Sequence, residues 1–377
     1  MLTITFLPHL KQHLRVAKLI SSLPFQWDDS SGKLSLLPSK IMQFIVTSQL
    51  MLQTVYSILQ VVMTTFSPYS TGTKFQAMVF TSINLTGLLL RWNWKLDKTA
   101  MNLLNAFIKF EESFLKGHVY KKTIPDKLMS LVLPLTIFSC FSVGIFTGVV
   151  LFYRPCLPPF AGSMLPCCRH GQAKFSICLR IGLVIFDVFM LFNAVVSGSF
   201  YITQILIASS LCFWDYMQII KKWTVENTLN KAQLLQTYKH LKILEMLNNN
   251  CVRKCMLPSC SLGFPAIQFF SCYVCIKLHD TMSLPALAFY FLIYGDAIIL
   301  TTSVFTASSY VFITSRKLLA RWRTEWKMTQ NSELRRSFRA CSPMKVRFGD
   351  NFVDNSTPLV IQDTCTRQTV SSLLISQ

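Results

Sequence analysis

Apolar stretches of bilayer-spanning length recur along this chain, and they leave it very few folds to choose from. They lie at about residues 41–66, 75–94, 128–153, 175–220, 260–278, 284–313 and 356–377. A hydrocarbon layer about 30 Å thick takes about 20 helical residues to cross. Inside it every backbone N–H and C=O must find a partner within the protein, so a span of this kind is a helix. The expected fold class is an all-α membrane protein, a single domain over residues 1–377 with seven transmembrane helices. Composition agrees: 51% of the residues are hydrophobic and 14% charged. No secretory signal is read at the start, because Pro8 and the basic run Lys11, Arg15, Lys18 follow Met1–Leu7 without a small-residue cleavage site.

The fourth stretch starts near Phe175 and runs as far as Trp223, well beyond what a bilayer needs, so its far end is expected to project into water. Residues 224–257 are amphipathic, with Leu234, Leu235, Tyr238, Leu241, Ile243, Leu244 and Leu247 set among Lys239, Lys242 and Glu245. That pattern predicts a helix packed against others outside the membrane. Met101–Phe114 has helical periodicity as well, whereas residues 1–40, with Pro8, Pro24 and Pro38, read as a polar-to-basic lead. Trp92, Trp94, Arg91 and Lys95 read as a membrane-interface cluster. Gly144 and Gly148 mark a place where another helix comes close. Residues 154–174 hold four prolines and three cysteines and read as an irregular loop. A disulfide among Cys156, Cys167 and Cys168 is compatible with an external loop, but spacing does not choose the pair.

Net charge is +20 and unevenly placed. The lead and the segments 91–127, 221–257 and 314–355 carry 30 Lys and Arg, and the alternate loops carry 5. Positive residues stay on the cytoplasmic side. The expected topology therefore has the N-terminus in the cytoplasm, the C-terminus outside and a basic cytoplasmic helical anchor. Basic surplus confined to loops between spans speaks for topology, not for nucleic acid.

The last stretch is the least greasy. It starts with Ser356 or Thr357 as N-cap and Pro358 at N1. At about 100° per residue, Gln362, Cys365, Thr366, Thr369, Ser372 and Ser376 share one stripe with Leu373 in its middle. A polar stripe broken by one apolar ring suits a gated aqueous pore. The competing reading is a peripheral helix whose hydroxyls bond to their own backbone. Asp363 and Arg367 stand i,i+4, acid first, and are expected to pair. Three further charges fall inside spans: Arg180, Asp187 and Asp296. The two acids are candidates for contact with a ligand or cation, or for a hydrogen bond to a neighbouring helix.

No catalytic pattern is present: there is no H-E-x-x-H, G-x-S-x-G or phosphate-binding loop, so no enzyme activity is expected. A G-protein-coupled receptor needs its N-terminus outside, which reverses the charge pattern. No Asp-Arg-Tyr follows the third span, and no Asn-Pro-x-x-Tyr lies in the last. A seven-span transporter is the other alternative, and no internal repeat supports it.

Seven spans, an inside N-terminus, a long fourth helix and a last helix near the chain end resemble the arthropod gustatory and odorant receptor superfamily. Its tail pattern is Thr-Tyr, five mostly apolar residues, then Gln-Phe. Here Thr369 matches, Val370 replaces the Tyr, Ser371 to Ile375 fill the five places, Ser376 replaces the Gln and Gln377 ends the sequence. The resemblance implies a ligand-gated, non-selective cation channel in the cell membrane, a homo- or heterotetramer with related receptors. It needs no cofactor and no nucleic acid, and its partners are membrane lipid and a small-molecule tastant or odorant. The seventh helix would line the pore through Gln362, Thr366, Thr369, Leu373 and Ser376, with Leu373 as the gate. The ligand would sit between helices two to six in their outer halves. Candidates there are Phe146, Tyr153, Phe186, Met190, Asn193, Phe270, Tyr273, Phe289 and Tyr290. An aromatic cavity with few polar groups suits small, mostly apolar ligands.

Overall fold

The computed structural model describes residues 2–92, 96, 98–114, 124–165, 168, 175–325 and 332–375, side chains excepted at 124–132 and 332. Ten α-helices occur among them. They are α1 (Leu7–Leu19), α2 (Lys40–Phe66), α3 (Thr71–Leu90), α4 (Thr99–Phe114) and α5 (Ile124–Tyr153). Then come α6 (Ile177–Glu226), α7 (Lys231–Lys277), α8 (Leu284–Glu325), α9 (Ser332–Arg339) and α10 (Thr357–Ile375). Five of these, α2, α6, α7, α8 and the stretch Leu133–Tyr153 of α5, are long and apolar enough to cross a membrane. Helix α3 has 20 residues and α10 has 19, so both are of spanning length with weaker apolar character. Two short antiparallel hairpins complete the fold, β1 (Phe25–Asp28) with β2 (Lys33–Leu36) and β3 (Arg347–Phe348) with β4 (Asn351–Phe352).

Helix ends follow local chemistry. Ser39, Ser70 and Ser176 cap α2, α3 and α6 by accepting from the N–H three residues on. Asn230 and Gln233 form a reciprocal capping box at α7, and Asn227, in the left-handed region at φ 51°, closes α6. Asp354 caps α10, accepting from the N–H and hydroxyl groups of both Ser356 and Thr357. These contacts hold the Asp354 carboxyl below the usual carboxylate range, the Thr357 hydroxyl contributing most.

The long helices far exceed one bilayer. Fifty residues in α6 make about 75 Å at about 1.5 Å each. Residues Tyr201–Ile207 of α6 and Val252–Met256 of α7 are wound as π-helix, and every residue of the first segment is buried. The amphipathic run after residue 224 and the fifth apolar stretch are one continuous helix, α7.

Two clusters divide the core. The larger fills the basal end, where α1, β1, α4, the C-terminal half of α6, the N-terminal half of α7 and residues 338–353 meet. The smaller lies toward the distal end, around Phe80, Phe160, Leu191, Val274 and Phe289. The N-terminal segment is not a polar lead: Leu2, Phe6, Leu10, Leu14 and Ala17 repeat at helical spacing and are buried in the basal core. Residues 341–353 run along α7. Lys345 N–H donates to Glu245 Oε1 at 2.8 Å, Asn249 grips Lys345 and Arg347, and Tyr238 Oη donates to Ser342 O at 2.9 Å.

The surface of α2 is inside out. Gln53, Tyr56, Ser57, Gln60 and Thr64 point into the protein, while Phe44, Met51, Val55, Ile58 and Phe66 are exposed. Water would reverse that arrangement, and lipid favours it. Arg91 departs from the interface reading: it is buried, donating to Asn193 Oδ1 and, at 3.1 Å, to Val46 O. Trp92 is exposed, whereas Trp94 and Lys95 lie outside the described residues.

Candidate functional site: a cavity and the last helix

Small residues draw α3, α5 and α6 together. A Cβ on Gly87 of α3 would lie 2.6 Å from Ala194 O of α6, and Gly198 faces the same contact. Gly144 and Gly148 of α5 let Phe192 and Val188 of α6 approach, as the paired-glycine spacing predicted. By contrast α5 and α8 touch sparingly, and between them the fold leaves a cavity of about 420 Å³. Its walls come from α3 (Ile83, Thr86, Gly87, Leu90), α5 (Leu135 to Val143), α6 (Ala194 to Ile202), α7 (Phe264, Ile267) and α8 (Leu292 to Leu300). The volume is that of a small-molecule site, and the lining is mostly apolar.

Three polar groups at the wall are already committed. Thr86 and Ser199 bond back to Ser82 O and Val196 O, and the Ser139 hydroxyl of α5 donates to Asp296 of α8. Asp296 is thus the bridge between the two helices that flank the opening. Leu135, Phe138, Leu292 and Ile299 are exposed at that opening, on the lateral surface of the bundle.

None of the nine aromatic and polar candidates read from the sequence lines this space. Five lie one helical turn distal of a lining residue: Phe146 beyond Val143, Met190 beyond Ala194, Phe270 beyond Ile267, and Phe289 and Tyr290 beyond Ile293. They form part of a packed roof. Phe80 meets Phe160 at 4.9 Å between centroids, Phe289 at 6.0 Å and Tyr290 at 6.0 Å, and Phe146 meets Phe289 at 5.9 Å. Tyr273 stacks on Phe75 at 3.9 Å, with Phe270 edge-on at 5.7 Å. Phe186 meets Tyr56 at 5.5 Å, and Tyr153 is exposed at the distal end. Asn193 accepts from Arg91 and donates to Gln49 Oε1 at 2.9 Å, so its amide is occupied. Sequence reasoning missed the small residues of α5. Their signal was there: Thr136, Ser139, Cys140 and Val143 recur at three- and four-residue spacing, next to Gly144.

The two buried acids differ. Asp187 Oδ1 accepts from Tyr56 Oη at 2.6 Å and from Ala161 N–H at 3.0 Å, and the acid is sealed from solvent. Asp296 is half-buried at the cavity wall. Arg180 does not pair with Asp187; its guanidinium lies 5.8 Å from the Phe152 ring. In the distal loop Cys156 is disulfide-bonded to Cys168, which makes the choice that spacing left open, and Cys167 lies outside the described residues.

Helix α10 lies along α7 and α8 at the edge of the bundle. Cys365 and Thr369 face inward and are buried, while Ile361, Gln362, Ser372 and Leu373 flank them. Thr366 is exposed. The hydroxyls of Thr364, Thr366 and Thr369 donate to backbone carbonyls one turn back. Hence only part of the polar stripe is turned outward, and Ser376 lies outside the described residues. Arg367 Nε and Asp363 Oδ2 pair at 2.8 Å on the exposed side, as their spacing predicted.

The fold is that of an insect olfactory receptor. Two structures of the receptor OR5 from Machilis hrabei align with nearly the entire chain. One, in complex with eugenol, has a TM-score of 0.58 at 13% identity, covering 98% of this chain and 99% of that one. The other has a TM-score of 0.61 at 11% identity, covering 98% of each. No family model matches the sequence, and no curated protein aligns with it significantly.

Proposed function

We propose that this protein is a chemosensory receptor of the odorant and gustatory type and is itself a ligand-gated cation channel. Seven spans cross the cell membrane in this reading, with the basic basal end in the cytoplasm and α10 running outward. The cavity beneath the aromatic roof receives a small ligand. Four α10 helices surround the conduction axis in a homo- or heterotetramer.

The observation that carries this reading is the surface of α10. An ion pair and several hydroxyls sit on the face that its own subunit leaves uncovered. Asp or Arg at the centre of a lone membrane helix costs about 2.5–3.5 kcal/mol each. Such a face fits neighbouring subunits and a wet axis better than lipid. Cys365 and Thr369 anchor the helix on α7 and α8, which leaves the flank bearing Gln362, Thr366 and Leu373 for the pore. Leu373 is the gate in this arrangement. The shared fold with an olfactory receptor supports the receptor class.

Ligand opens the pore only by binding the open state more tightly. The large basal core holds the assembly while the sparsely joined α5 and α8 shift. The test is current recorded from cells expressing the protein, alone or with related receptors. Leu373→Ser is expected to raise ligand-independent current. Wild-type surface expression with no current under any partner, and no leak from Leu373→Ser, would sink the channel reading.

A further inference from the structure

Among the described residues, Asp296 is the one carboxylate at the wall of the 420 Å³ cavity, and none of those lining it is basic. Among the described residues it has no ion-pair partner, and the Ser139 hydroxyl is the hydrogen-bond donor it is seen to have. Asp187, by contrast, holds two donors and is closed off. A desolvated carboxylate with so little compensation is expensive, and a cation brought to it recovers the cost. The rest of the wall is mostly aliphatic and aromatic, and the Thr86 and Ser199 hydroxyls in it are already bonded to backbone carbonyls. The opening past Leu135, Phe138, Leu292 and Ile299 lies on the lateral, apolar surface.

We infer that the ligand of this cavity is an apolar amine, its ammonium seated on Asp296 and its hydrocarbon body beneath the Phe80–Phe289 roof. This rests on the proposed ligand site and adds the chemical class. The ammonium replaces the missing counter-charge. It also competes for the oxygen that Ser139 holds, so binding loosens the Ser139–Asp296 hydrogen bond between α5 and α8 at the opening. That gives the ligand a direct hold on a sparsely packed pair of helices.

The experiment uses full-length protein in nanodiscs, with 4-phenylbutylamine and its neutral counterpart 4-phenylbutan-1-ol as probes, read by calorimetry and independently of any current. The amine is expected to bind about ten- to a hundredfold more tightly than the alcohol, the range of a charge-assisted hydrogen bond. Asp296→Asn is expected to bring the two within about twofold of each other, and Asp296→Glu, which keeps the charge if the amide variant does not fold, to retain the preference. Equal binding of both probes to the wild type, no binding of either, or an amine preference untouched by Asp296→Asn overturns the proposal. Amine binding without evoked current leaves the site standing and counts against the channel reading. Current evoked by the alcohol and not by the amine does the reverse.

Discussion

Tyr216 of α6 donates its hydroxyl to Glu111 Oε1 of α4 at 2.6 Å, and the same carboxylate also takes the N-terminal segment. The N–H groups of Leu2 and Thr3 and the Thr3 hydroxyl all donate to it. Glu111 is buried, so four donors depend on one side chain. Glu111→Ala strands them, and a loss of about 3–5 kcal/mol is expected. The check is thermal unfolding followed by size-exclusion chromatography, where Glu111→Gln should lose less.

Tyr56→Phe removes one of the two donors to Asp187 and leaves a buried acid short. The expected cost is about 1.5–3 kcal/mol, since the bond is to a charged acceptor. The melting temperature should fall while the ratio of amine to alcohol affinity stays at its wild-type value. A change in that ratio would mean that Asp187 belongs to the ligand site.

His13 of α1 is buried against α6, with Nε2 2.9 Å from Val196 O. Burial lowers its pKa from 6.5, partly offset by that hydrogen bond. The unfolded chain therefore binds a proton more readily than the folded one. Stability from this group is complete above about pH 6.5 and declines as pH falls through that value toward the folded pKa. Melting curves between pH 8 and pH 5 should show the decline in the wild type and a weaker one in His13→Asn.

Gly87→Ala pushes a methyl against Ala194 O across the α3–α6 contact, and a loss of about 1–3 kcal/mol is expected. Gly198→Ala is the control, because its Cβ would meet Gly87 Cα at an ordinary 3.4 Å. Comparable melting temperatures for the two variants would refute the close approach.

Much of this was legible in the chain. The bounds of α2, the great length of α6, the approach at Gly144 and Gly148 and the Asp363–Arg367 pair all follow from local pattern, because each depends on residues within a few turns. The N-terminal helix was not read, although Leu2, Phe6, Leu10 and Leu14 form a regular stripe. Three prolines and a basic run masked it. Several of the aromatic candidates stand about one turn from the cavity, because aromatic abundance marks where a core can be filled and small residues mark where it is left empty.

Hydropathy and the placement of charge, both local properties, determined a multi-helix membrane chain with a basic helical end. Contacts between distant segments decided the rest. Whether Asp296 faces a cavity while Asp187 is sealed by Tyr56, and whether Thr369 points inward while Thr366 does not, depends on which helix lies alongside. A helical repeat defines faces, but the neighbour that covers a face is chosen by packing across a hundred residues or more.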